Sequence, residues 1–117
     1  MIRRSSENIA AREVEAVIRE LPEVEDCAAL PVPDPDRGEE VEIRIQLKPG
    51  LTIADLPPET VLAHARHHLA RFKVPRFYSY VDDFPRTVSN KIEKRILSAQ
   101  GPDPRVAAWD AEKTSER

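Results

Sequence analysis

Val41-Glu42-Ile43-Arg44-Ile45-Gln46-Leu47-Lys48 is the most regular stretch of the chain, four apolar residues alternating with four polar ones. A period of two predicts a strand with one buried face, closed by Pro49-Gly50. Upstream, Val14, Val17, Ile18 and Leu21 recur at helical spacing. They predict an amphipathic helix that starts near a cap at Asn8 and stops at Pro22. Arg12, Glu13, Glu15 and Arg19 fill the rest of its circumference, so its role is read as core packing. Between the two lies Cys27-Ala28-Ala29-Leu30, an apolar run that fits a largely buried strand within residues 24–32. Residues 31–38 are dense in turn formers. Asp34 and Asp36 are turn residues there, because the glycine and terminal glutamate spacing of an EF-hand calcium loop is missing.

Further on, Thr52-Ile53-Ala54-Asp55 predicts one capped helical turn, and Pro57-Pro58 opens a second helix. Leu62, Ala65, Leu69 and Phe72 line its apolar face. Residues 77–81 are rich in β formers. Residues 85–97 then read as a tight turn at Ser89-Asn90 running into a short basic helix, with Ile92 and Ile96 one turn apart and Lys91 at the junction. Backbone N–H groups at a helix start favour an anion, so a lysine beside them suits a phosphate or a carboxylate. The expected architecture is a small α+β domain over residues 1–98, its mixed or antiparallel sheet of about three strands packed with helices. Residues 99–117 form a loosely ordered polar tail, in which Val106-Ala107-Ala108-Trp109 is the segment able to dock.

Length limits what such a domain can do. With 117 residues there is one modest core and no room for a substrate cleft between two lobes. A lone Cys27, read as a small buried residue, excludes an internal disulfide framework and suits a reducing cytoplasm. No apolar run is long enough to span a membrane, and no membrane partner is expected. The net charge of −3 conceals an asymmetry: residues 1–65 carry 7 basic and 14 acidic side chains, residues 66–95 carry 8 and 3. A basic segment on an acidic protein points to a specific anionic ligand rather than to nucleic acid. RNA would need exposed stacking aromatics, for which Tyr78 and Tyr80 are the candidates. His64 and His68 stand four apart, a metal-ligand spacing, but with no third ligand evident no metal is expected.

Pro85-x-Thr87-x-x-Asn90-Lys91-Ile92-x-Lys94-x-x-Leu97 resembles the C-terminal signature of the adenylate-forming superfamily, with Asn90 where glycine is usual. The resemblance extends to Ile2-Arg3-Arg4-Ser5-Ser6-Glu7-Asn8-Ile9, Glu13-Val14-Glu15, Val24, the Pro33-Asp34 and Gly38-Glu39 turn, and Phe72-Lys73-Val74-Pro75-Arg76. Within the superfamily the pattern is most like acyl-CoA synthetases of the carnitine/crotonobetaine-CoA ligase type. The resemblance implies the mobile C-terminal lid of an AMP-forming acyl-CoA ligase, working in the cytoplasm on an organic acid, ATP and CoA. Lys91 would be the catalytic residue of adenylation, supported by Pro85, Thr87 and Asn90. Arg4, Ser6, Glu7 and Asn8 would belong to the loop that admits the CoA thiol. Ser6 replaces a usual glycine, and a side chain there narrows the path of the CoA arm or bars a positive φ. Mg2+, ATP and the acid would be held by an N-terminal adenylation domain, in cis or in trans, so the chain alone is expected to be inactive and to bind no cofactor. The alternative is a non-catalytic stand-alone module that docks on a partner protein.

Overall fold

A computed structural model describes residues 2–4, 7–36, 38–94 and 108–112. The chain runs β1 (Ile2–Arg4), β2 (Glu7–Ile9), α1 (Ala11–Arg19), β3 (Val24–Asp34), β4 (Gly38–Leu47), α2 (Pro58–His68), one 3-10 turn (Arg71–Lys73), β5 (Phe77–Val81) and β6 (Trp109–Asp110). The α+β class is as expected, but the sheet has six strands rather than about three, in the order β2-β1-β4-β5-β6 with β3 also on β4. The additional strands β1, β2 and β6 are two or three residues long. Nothing that short shows a period, and each is a strand only because a neighbour pairs with it.

β3 and β4 pair antiparallel from Val24↔Leu47 to Asp34↔Gly38, and β5 lies parallel to β4. Val14 and Ile18 of α1, Val61 and Ala65 of α2, and Ile43 and Ile45 of β4 are fully buried together. Each such side chain contributes about 1.5–3 kcal/mol of burial free energy. Helix α1 begins at Ala10 with no side-chain cap, not at Asn8, which is paired in β2 opposite Arg3. Pro58 opens α2, where its missing N–H costs nothing.

The second face of β4 is buried as well, contrary to the simple alternation. Glu42 and Arg44 are 2% and 7% exposed, and Arg44 Nε donates to Glu42 Oε1 at 3.1 Å while Ser79 Oγ donates to Glu42 Oε2 at 3.0 Å. Mutual hydrogen bonding is what lets these polar groups leave water. Ala28 and Leu30, the cross-strand partners of Arg44 and Glu42, form a small second core with Phe84 and Ile92. Residues 82–94 therefore cross back over this face of the sheet.

The end of the described chain is docked. Trp109 pairs with Tyr78 and meets its ring edge-on at 5.5 Å, and Arg76 holds Asp110 through two hydrogen bonds at 3.0 and 3.1 Å. Tyr78, 1% exposed, is unavailable for stacking on a base, and Tyr80 donates its hydroxyl to Leu56 O at 2.6 Å. Among the described residues no helix is long and apolar enough to cross a membrane.

Candidate functional site around Lys91

Residues 86–92 close into a tight loop, and the first helical residue is Lys94 rather than Lys91. Arg86 and Ile92 form an isolated antiparallel bridge, Thr87 N donates to Lys91 O at 2.7 Å, and Asn90 N donates to Thr87 O at 2.9 Å. Lys91 N in turn donates to Thr87 Oγ1 at 3.2 Å, and Glu93 N donates to Pro85 O at 2.6 Å. Ile92 is thus a bridge residue anchored in the second core, and Arg95, Ile96 and Leu97 lie outside the described residues. Asn90 has φ +65°, the left-handed conformation that this turn requires and that asparagine tolerates better than most residues. The ammonium of Lys91 is exposed, and no described residue pairs with it.

What holds the loop in place is the free edge of β3. Because β3 pairs only with β4 among the described residues, its other edge carries backbone groups that a further strand would have satisfied. Side chains take them over. Ala29 N donates to Glu15 Oε2 at 2.8 Å, Cys27 N donates to Asp26 Oδ1 at 2.8 Å, and Arg19 Nη2 donates to Cys27 O at 3.2 Å. The same two carboxylates then reach the loop: Asp26 Oδ2 accepts from Arg86 Nη2 at 3.0 Å, and Glu15 Oε2 meets Lys94 Nζ at 2.6 Å. Arg86 Nη1 also donates to Asn90 O at 3.2 Å, inside the loop itself. Burial pushes the Asp26 carboxyl upward, but the Cys27 N–H, Arg86 and Arg19 outweigh it and hold the group below its ordinary range. Burial pushes the Cys27 thiol up to about 12.

Among the described residues, charge pairing across the fold engages four of the eight basic residues of 66–95. Lys73 binds Glu13 at 2.8 Å, Arg76 binds Asp110 and Glu112 at 3.0 Å, and Arg86 and Lys94 are held as above. Beside Lys91 an open groove of about 330 Å³ is lined by Arg12, Arg19, Arg86 and Lys94, with Glu15 and Asp26 as its acids. The cations outnumber the acids, so the groove suits an anion.

The other candidate residues lie elsewhere. Arg3, Arg4, Glu7 and Asn8 belong to the β1–β2 pair, in register Arg3↔Asn8 and Arg4↔Glu7, and neither Arg3 nor Asn8 lines the Lys91 groove. Ser6 lies outside the described residues. β1 is attached to β4 through Gly38, whose φ is +83° and where an added Cβ would come within 3.4 Å of Arg3 O. Glu39 accepts from Arg3 N at 2.9 Å. Near α2, the spacing of His64 and His68 offers no third ligand, but folding supplies one in Glu20.

Sequence reasoning missed Glu15 and Asp26. Glu15 is 6% exposed despite being placed on the solvated side of the helix. The available signal was a carboxylate directly beside Val14 on a helix packed over an edge strand, and it cannot be read without knowing which strand is the edge.

Residues 13–91 match the AMP-binding enzyme C-terminal domain family. A protein of Bacillus subtilis (strain 168) named as an acyl-CoA synthetase is 38% identical over 97 residues, which are 83% of this chain and 17% of that one. Crotonobetaine/carnitine–CoA ligase of Proteus mirabilis (strain HI4320) is 33% identical over 97 residues, 83% of this chain and 18% of that enzyme. A solved Mycobacterium tuberculosis fatty acyl CoA synthetase superimposes with a TM-score of 0.78 at 27% identity, over 86% of this chain and 19% of that one. The chain spans less than a fifth of the length of these relatives.

Proposed function

The chain belongs to the AMP-binding enzyme C-terminal domain family, and from that membership we propose that it serves as the lid of an AMP-forming acid–CoA ligase, with Lys91 as the catalytic residue it delivers. Adenylation brings a carboxylate against the α-phosphate of ATP, two anions forced into contact. An ammonium placed between them offsets the repulsion, and more strongly once closure excludes water. The observation that carries this reading is the loop itself: Lys91 N and Lys91 O are both tied to Thr87, while its ammonium projects to the surface without a partner among the described residues. Pro85, Thr87 and Asn90 support it by shaping that loop. Lysine serves better than arginine here because its charge is compact and reaches a single point.

The β1–β2 pair, with Arg4, Ser6, Glu7 and Asn8, is the second working edge. The proposed lid presents one edge for adenylation and the other when CoA attacks. ATP, Mg2+ and the acid are held by an adenylation domain, the partner of this lid.

Joining the 117-residue chain to the adenylation domain of an acyl-CoA ligase relative tests the proposal. Lys91→Ala should slow ATP–pyrophosphate exchange about 10²–10³-fold, the usual effect of removing one stabilising donor. Thioester formation from preformed acyl-adenylate should be largely spared. Equal loss of both half-reactions would refute the role.

A further inference from the structure

The C-terminal turns of α1 and α2 meet at a cluster that the adenylation reading does not use. Glu20, the residue that ends α1, and His64 and His68, one turn apart on α2, each present a ligand atom, and these atoms lie within 4.8 Å of one another. His64 Nε2 is 2.9 Å from Val17 O and 3.2 Å from Glu20 Oε1. We propose that Glu20, His64 and His68 form a site for a divalent cation of the zinc class, which clamps the end of α1 to the end of α2.

The ligand set selects the class of metal. Two imidazoles and a carboxylate suit zinc and its neighbours, whereas magnesium and calcium take oxygen ligands. Spacing supports the same assignment. Ligand atoms bound at 2.0–2.2 Å around a tetrahedral zinc ion are about 3.3 Å apart, close to the 3.2 Å between Glu20 Oε1 and His64 Nε2. Glu20 and His68 are exposed, so both can adjust their rotamers around the half-buried His64 without disturbing the core.

One further feature favours a cation here: the C-terminal turn of each helix presents partial negative charge. Three protein ligands leave a fourth position for water or for a donor from another protein.

Titration of the 117-residue chain with Zn2+ in a chelator-free buffer, followed calorimetrically, tests the site. One equivalent should bind, the melting temperature should rise, and Mg2+ at the same concentration should do neither. His68→Ala and Glu20→Gln should each weaken zinc binding at least about tenfold, since even outer-shell losses cost about 10–100-fold. His67→Ala, which removes a ring neighbour but no ligand, should leave the affinity unchanged. Both His68→Ala and Glu20→Gln alter exposed side chains, and circular dichroism confirms that each variant is folded. Absence of zinc uptake by the unmodified chain would overturn the site, as would full affinity in His68→Ala.

Discussion

Arg86 Nη2 lies 3.0 Å from Asp26 Oδ2, an ion pair between residues 60 apart that ties the loop carrying Lys91 to the free edge of β3. Asp26 also accepts from Arg19 Nε at 2.9 Å and from Cys27 N at 2.8 Å, so one carboxylate joins α1, β3 and the loop. The position of the loop that carries the exposed ammonium is thereby set by groups on α1 and β3.

Asp26→Asn should destabilise the domain by about 1.5–3 kcal/mol, the range for hydrogen bonds to a charged group. The Asp26 carboxyl is held below its ordinary 3.8, so its contribution is complete above that value and is lost as pH falls through the lower folded-state pKa. The stability gap between the native and Asp26→Asn chains should therefore narrow in acid below pH 3.8. Urea unfolding across pH 2–7 measures the gap, and amide exchange at Thr87, Asn90 and Lys91 reports loosening of the loop.

Glu13 and Glu15 sit two residues apart on α1, yet their removal should have very different effects. Glu15→Ala strands the buried Ala29 N–H, a loss of about 1–3 kcal/mol, and unpairs the part-exposed Lys94. The Glu13–Lys73 pair is solvated, with Glu13 46% exposed, and its loss should cost about 0.2–1 kcal/mol. Chemical denaturation of both variants checks the contrast; equal effects would remove Glu15 from its supporting role.

Asn90 at φ +65° makes a further distinction. Asn90→Gly should be nearly neutral because glycine takes this conformation freely, whereas Asn90→Ala should cost about 1 kcal/mol, since alanine keeps the Cβ but loses the short polar side chain that makes this conformation tolerable. Thermal melts of the two variants separate conformational strain from side-chain contacts.

Cys27 is fully buried with its thiol pushed up to about 12, and Sγ lies 3.4 Å from Glu15 O. Thiolate is the reactive form, so the folded chain at pH 8 should be inert to a disulfide reagent that reacts fully in denaturant. Rapid modification of the native chain would show that α1 and β3 separate easily.

Several elements were legible because their signal is local. The alternation from Val41 to Lys48 marked β4, the stripe from Val14 to Leu21 marked α1, and Asp34 accepts from Asp36 N at 3.0 Å as a turn residue should. The expected helix does not start at Lys91: Lys94 is the first helical residue, and residues 95–97 lie outside the described ones. Thr87 and the left-handed Asn90 close a loop through their backbone groups, and Ile92 finds its apolar partners on β3 instead of along a helix face. β6 was visible as a docking segment around Trp109 but not as a strand, since two residues acquire that state only from Tyr78 and Phe77 opposite.

Although Leu69 and Phe72, expected on the face of α2, lie beyond the end of that helix, by itself the sequence determined the core-facing stripe of α1, the alternation of β4 and the turn chemistry at Asn90. These depend on steric preferences and periods spanning a few neighbouring residues. Tertiary structure alone decided that β3 would have a free edge, that Glu15 and Asp26 would close it and grip the Lys91 loop, and that Glu20 would meet His64. Hydrogen bonds and charge attraction act over a few ångströms of space, so their partners are chosen by how the chain folds back and not by spacing along it.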